Sequence, residues 1–390
     1  MNKNNIIGAV LMAAVFIGYS VYSQPSAEEK AAAARQDSIE NVARKNAENA
    51  AKLAAQQKVA QAQAAAKADT TALFHSALKG KATNVVLKNS SVELTLNTKG
   101  GVVSKAVIKN FTDYNGNSNV TLFDSSSQSL NFALAAKEVN INTSDLYFTP
   151  SNQTDSTVTM TATAGDGKEL VINYVLGSDY MLHAKLQTVG MANDFAPSAS
   201  QMDVQWKEMC RQQERGFTFE NRYASLTYHK VDGGTDYLSE AKSITDENIE
   251  KKIDWVAFKN QFFSAVMIAK NNFAENSLMT SVPQEKGSGN LKQYEAKMKT
   301  FFDPSGKTPS EFDFYFGPND FRLLKRVEAE STFGKDLEMQ RLVYLGWPLF
   351  RIINRWFTIY VFDFLTGLNI NMGIVLILIT MLLKFITYPM

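Results

Sequence analysis

The sequence predicts a mainly β membrane protein, a large antiparallel sandwich with an apolar segment at each end. Three observations predict it. Apolar and polar residues alternate with period two in stretch after stretch between about residues 83 and 316, with few helical patterns among them. Residues 6–22 form an apolar run behind Lys3. Residues 370–389 form a second run, long enough for a bilayer core, which takes about 20 mostly apolar residues.

Composition narrows the function classes. At 390 residues with 45% hydrophobic content, the chain can bury one large core and carry appendages. A net charge of +1 gives no footprint for nucleic acid. The single cysteine, Cys210, excludes an intramolecular disulfide framework and a multi-cysteine metal site. His75, His183 and His229 stand without metal-ligand spacing and read as ordinary surface or strand residues. Neither a metal nor a cofactor is expected.

Residues 1–24 are expected to be a transmembrane anchor. A signal peptide is the alternative, but Ser20-Val21-Tyr22-Ser23 is a poor cleavage site and the apolar run is long for a signal core. Lys3 and the amino terminus set the N-terminal side inside, with Glu28 and Glu29 on the far side. The chain from residue 24 to about 369 is then outside the cytoplasm. Residues 25–80, rich in Ala, Lys and Gln, lack a sustained apolar stripe and read as a partly helical spacer.

Residues 81–330 carry the sandwich. Val85 and Leu87, then Val92, Leu94 and Leu96, alternate with polar neighbours. Val158, Met160 and Ala162 alternate again; Gly165-Asp166-Gly167 turns the chain; Leu170, Ile172, Tyr174 and Leu176 answer as a hairpin. Further strands are expected over 181–187, 202–206, 253–258, 262–269, 291–302 and 311–316. Glu208, Glu214, Asp232 and Asp236 show no spacing that singles out an acid/base pair, so catalysis has no warrant here. The stretch 211–222 (RQQERGFTFENR) reads as a solvated loop rather than a cleft wall. A short helix over 318–327, with Pro318 near its first turn, closes the domain.

Residues 331–368 connect to the membrane. Within them Leu345, Leu349, Ile352, Ile353, Trp356 and Tyr360 recur at helical spacing, opposite Arg351, Asn354, Arg355 and Thr358. An amphipathic helix with Trp and Arg fits the membrane interface; packing on the sandwich is the alternative. Gly367 and Asn369 interrupt it before residues 369–390, the expected second transmembrane helix. Lys384 sits inside that run. A lysine at mid-membrane costs about 2.5–3.5 kcal/mol, so it marks either a hydrated functional cavity or a side chain reaching back to the headgroups. Thr380 and Gly373 share its helix face, and Thr387 extends the stripe.

The ordered set resembles the YidC insertases of Gram-negative bacteria, in the YidC/Oxa/Alb family. Leu345-Gly346-Trp347, Asn371-Met372-Gly373-Ile374 and, above all, Lys384-Phe385-Ile386-Thr387-Tyr388-Pro389 carry the resemblance. Residues 255–263 (WVAFKNQFF) and Tyr315-Phe316-Gly317-Pro318 fit the family's external domain. The resemblance implies a periplasmic β-supersandwich, similar in fold to sugar mutarotases but without their activity. It also implies inner-membrane insertion of nascent membrane proteins, through a lipid-facing hydrophilic groove with one positive charge. Lys384 stands where the family usually has arginine, and Thr380 at a groove-lining position one turn earlier. Lysine keeps the point charge without arginine's bidentate geometry. Nascent membrane-protein substrates, the Sec translocon, the ribosome and membrane lipids are the implied partners. The family core has further spans, a cytoplasmic hairpin and a tail, so the chain is expected to be the N-terminal part of a longer, multi-pass protein. Two other readings differ in class: an anchored periplasmic sandwich that binds a glycan or a partner protein, and a carbohydrate-active enzyme.

Overall fold

The computed structural model describes residues 73–387, apart from 138, 239–243, 332, 344–356 and 369. The anchor expected at 1–24, the spacer up to residue 72, and residues 344–356 of the interfacial helix lie outside the described residues.

The chain is mainly β with flanking helices, and every strand pairing is antiparallel. A four-stranded sheet comes first: β1 (Asn84–Lys88), β2 (Val92–Asn97), β3 (Val102–Thr112) and β4 (Ser118–Phe123) pair in chain order. The alternation read from sequence drives it. Val85, Leu87, Val92, Leu94 and Leu96 are all buried, while the residues between them are not.

Among the described residues fifteen strands make the second sheet. They are β5 (Gln128–Ala135), β6 (Asn140–Asn142), β7 (Thr149–Ser151), β8 (Thr157–Gly165), β9 (Lys168–Leu176), β10 (Met181–Val189), β11 (Gln201–Arg211), β12 (Ser225–Lys230), β13 (Gly234–Tyr237), β14 (Thr245–Ile249), β15 (Ile253–Lys259), β16 (Phe263–Phe273), β17 (Ser277–Pro283), β18 (Asn290–Phe301) and β19 (Ser310–Pro318). The main path runs β6-β5-β11-β18-β16-β19-β10-β9-β8-β7. The β8–β9 hairpin has the expected register, with Val158 opposite Tyr174, Met160 opposite Ile172 and Ala162 opposite Leu170. Gly165 and Gly167 turn it at positive φ of 144° and 70°.

The two sheets close over one continuous core, which makes the expected sandwich. Trp206 of β11 stacks on Phe258 of β15 at 4.0 Å between ring centres, and Phe123 of β4 meets Phe316 of β19 edge to face at 5.5 Å. Tyr174 on the large sheet donates its hydroxyl to the Gly101 carbonyl at 2.9 Å, bridging the sheets inside the core.

Among the described residues four α-helices accompany the sandwich: α1 (Phe217–Tyr223), α2 (Phe321–Glu330), α3 (Ile359–Gly367) and α4 (Met372–Thr387). Two sequence readings need correction. The stretch 211–222 is not a solvated loop: part of it is α1, and Glu220 is fully buried, accepting the backbone N–H groups of Gln213 (3.0 Å) and Glu214 (2.9 Å). Its carboxylate satisfies two interior donors, which anchors the segment. Pro318 does not open the closing helix but ends β19. Asp320 caps α2, its side chain accepting from Leu323 N at 2.7 Å.

Among the described residues no helix is both long and apolar enough to cross a membrane. α4 has 16 residues, about 24 Å of helix at 1.5 Å per residue. Residues 388–390 of the same apolar run lie outside the described residues.

Candidate functional site

Lys384 and Thr380 both fall on α4. Asn371 starts the helix: its side-chain oxygen accepts from Gly373 N at 2.8 Å and its carbonyl from Val375 N at 3.1 Å. Thr380 donates its hydroxyl to the Leu376 carbonyl one turn back, at 2.7 Å, so its polar group is satisfied within the helix. Lys384 lies in the last turn, exposed. At about 100° per residue, Gly373, Thr380 and Lys384 line one stripe. Val375 and Ile379, both buried, lie on roughly the opposite side. The helix thus presents a sparse polar stripe ending in an amine, flanked by exposed Ile377, Met381 and Phe385.

A polar and apolar seam ties the route towards α3 and α4 to the sandwich. After α2 the chain crosses the outer face of the large sheet, where Leu337, Met339 and Leu342 join Trp255, Ile268 and Tyr315 in a second, smaller core. Trp255 Nε1 donates to the Leu337 carbonyl at 2.7 Å, and Lys259 Nζ to the Leu342 carbonyl at 3.3 Å. Glu328 accepts the N–H groups of Leu337, Glu338 and Met339 at 2.9, 3.0 and 3.1 Å. Lys335 Nζ reaches Asp254 at 2.8 Å and the Ala269 carbonyl at 3.0 Å. Burial alone would raise the Asp254 carboxyl. Hydrogen bonds from His229 and Lys335, with the lysine charge, hold it below its ordinary value instead. Lys335 carries no sequence signal of this role; Trp255 was legible only as part of a motif.

α2 also grips α3. Arg322 forms an ion pair with Asp363 and lies over the Tyr360 ring, 5.9 Å from its centre. α3 and α4 are in contact in turn, so the sandwich, the strap of residues 333–343 and these helices form a connected series.

The other sequence candidates are placed without forming a site. Glu208 is buried on β11 with one carboxylate oxygen unpartnered, and burial pushes its carboxyl well up. Asp236 pairs with Lys230 at 3.1 Å. His183 and His229 are strand residues bonded to Asp313 (2.5 Å) and Asp254 (3.1 Å). Cys210 is a buried free thiol. No group of three or more metal-ligating side chains comes together among the described residues.

The model of the YidC periplasmic domain family matches residues 84–360. The chain belongs to the YidC family. Membrane protein insertase YidC of Phocaeicola vulgatus is 46% identical over 394 residues, covering 100% of this chain and 62% of the relative. The YidC of Bacteroides fragilis is 40% identical over 391 residues, with the same 100% and 62% coverage. The chain therefore spans less than two thirds of the length of these YidC relatives. A crystal structure titled as an active YidC insertase with its first transmembrane domain resolved matches loosely, with a TM-score of 0.34 and 14% identity over 82% of this chain and 57% of that one. The YidC domain match takes in the Trp255 and Tyr315 motifs and ends before α4, so Lys384 and Thr380 lie beyond it.

Proposed function

We propose that this chain serves in a membrane protein insertase, supplying a periplasmic sandwich, a membrane-interface helix and one wall of the groove that receives the substrate. The observation that carries the reading is the identity of 46% to a named insertase over the whole chain. In this reading residues 1–24 anchor the protein in the inner membrane, the sandwich stands on the periplasmic side, and α4 spans the bilayer. The stripe of Gly373, Thr380 and Lys384 faces a partly hydrated groove. Insertion breaks no covalent bond. The Lys384 ammonium attracts acidic residues beside a nascent transmembrane segment, and charge attraction in a low-dielectric groove exceeds its value in bulk water. The segment then moves into lipid because its apolar surface leaves water. The translating ribosome and the Sec translocon are the partners that would deliver it.

The test is insertion of a tagged substrate, scored by protease protection, in cells depleted of their own insertase and supplied with the full-length gene product. Lys384→Ala is expected to impair substrates with acidic residues beside their first span. Undiminished insertion of those substrates would remove Lys384 from the mechanism.

A further inference from the structure

At one end of the sandwich an open cleft of about 710 Å³ lies between the end of β3, the start of β16 and α2. Its apolar wall is Phe111, Phe262, Phe263 and Leu323. Phe111 and Phe262 are 36% and 45% exposed, an unusual cost for two neighbouring phenylalanines on a soluble surface. Phe111 packs edge to face on Phe263 at 5.3 Å, so the aromatic wall is held in place. The polar wall is mixed in sign: Glu214 and Asp320 against Arg326. Asp320 caps α2 and keeps its charge, so Glu214 and Asp320 face the cleft with one cation, exposed Arg326.

The cleft is continuous with the helices leading to the membrane. Arg326 lies one turn beyond Arg322 on the same face of α2, and Arg322 holds Asp363 and Tyr360 of α3. α3 presents Tyr360 and Phe364 to the surroundings, at 59% and 68% exposure. Exposed aromatic rings and cations side by side are the composition of a surface seated at the headgroup level of a bilayer.

We propose that this cleft docks a phospholipid of the adjacent membrane surface, with Arg326 facing the phosphate, Glu214 the headgroup amine, and Phe111 and Phe262 the glycerol and upper acyl chains. One cation beside two carboxylates suits a zwitterionic headgroup, with its amine, better than a purely anionic one. The site extends the proposed function, because it rests on the reading that α4 spans the bilayer; it fixes how the sandwich sits over the membrane beside that helix.

The test uses the whole chain in lipid nanodiscs, with an environment-sensitive fluorophore on a cysteine placed by Phe262→Cys or Phe111→Cys. Cys210 is buried, and the unsubstituted chain controls for its labelling. Leu278→Cys gives a comparison site, 50% exposed and lining a separate polar groove. Ile377→Cys reports on α4. Lipids carrying a nitroxide near the headgroup are expected to quench the probes at 262 and 111 severalfold more than the probe at 278. Adding Arg326→Glu should reduce that quenching. Equal quenching at 262, 111 and 278 overturns the site. If mid-chain nitroxides quench the probe at 377 while those at 262 and 111 stay unquenched, the docking site falls and the spanning helix stands. The converse pattern leaves the site standing as a peripheral surface and removes the spanning reading.

Discussion

The indole N–H of Trp255, wholly buried on β15, donates to the main-chain carbonyl of Leu337 at 2.7 Å. One side chain of the sheet thus holds the segment that leads from the sandwich towards α3 and α4. Trp255→Phe keeps an aromatic ring but strands that carbonyl without its donor, which costs about 1–3 kcal/mol. The variant should unfold at lower urea and show faster proteolysis within residues 333–343. A strap as protease-resistant as in the parent protein would mean that Lys259 and Lys335 suffice to hold it.

Glu220 gives the stability a pH dependence. Burial pushes its carboxyl up to about 7, above the ordinary 4.5, against the hydrogen bonds from the Glu214 and Gln213 backbones. A native state that holds its proton more tightly than the unfolded chain is favoured at low pH. That contribution is complete below about 4.5 and fades as pH rises through about 7. Glu220→Gln cannot ionise. The stability of the variant relative to the parent should therefore rise between pH 5 and 8, as read from urea midpoints. A constant difference across that range would refute the assignment.

Gly190 and Gly167 separate two glycine requirements. Both have positive φ, 67° and 70°. A Cβ at Gly190 would stand 2.2 Å from the Gly167 carbonyl oxygen, whereas one at Gly167 meets nothing within 4 Å. Gly167→Ala should lose only the conformational term, about 1 kcal/mol. Gly190→Ala should lose clearly more, and equal losses in thermal or urea unfolding would show that the backbone relaxes freely there.

For Lys384 the charge, not the shape, is expected to matter. Lys384→Arg should retain most insertion of acidic-flanked substrates, and Lys384→Glu should be worse than Lys384→Ala because like charges repel. A substrate with its acidic residues neutralised should respond little to any of the three. Loss with Arg as severe as with Glu would point to packing rather than charge.

The hairpin of β8 and β9 was legible because alternation and a glycine turn agree in one short stretch. β12 is different: Leu226 and Tyr228 alternate with Ser225, Thr227 and His229, but all five are buried, so the polar pattern over this short stretch does not mark a solvent face. β5 carries the same signal as the hairpin, with Leu130, Phe132 and Leu134 alternating. α1 was misjudged because a buried glutamate cannot be told from a solvated one until the backbone donors it serves are known. Lys384 and Thr380 stood out because a cation in an apolar run is costly wherever it lies. The contacts of Glu328, Lys335 and Trp255 across the strap join residues up to 82 positions apart, and no local pattern announces them.

β19 lies between β16 and β10, paired along its length with both. It is also the last strand of the sandwich to be made. Until it arrives, β7 to β10 have no strand pairing to the rest of the main sheet, and β10 and β16 each keep an open edge. The domain therefore cannot close in step with its synthesis, because its longest-range pairings wait for the end. In a chain that emerges amino end first, β10 and β16 stay two adhesive edges to be shielded until residues 310–318 follow.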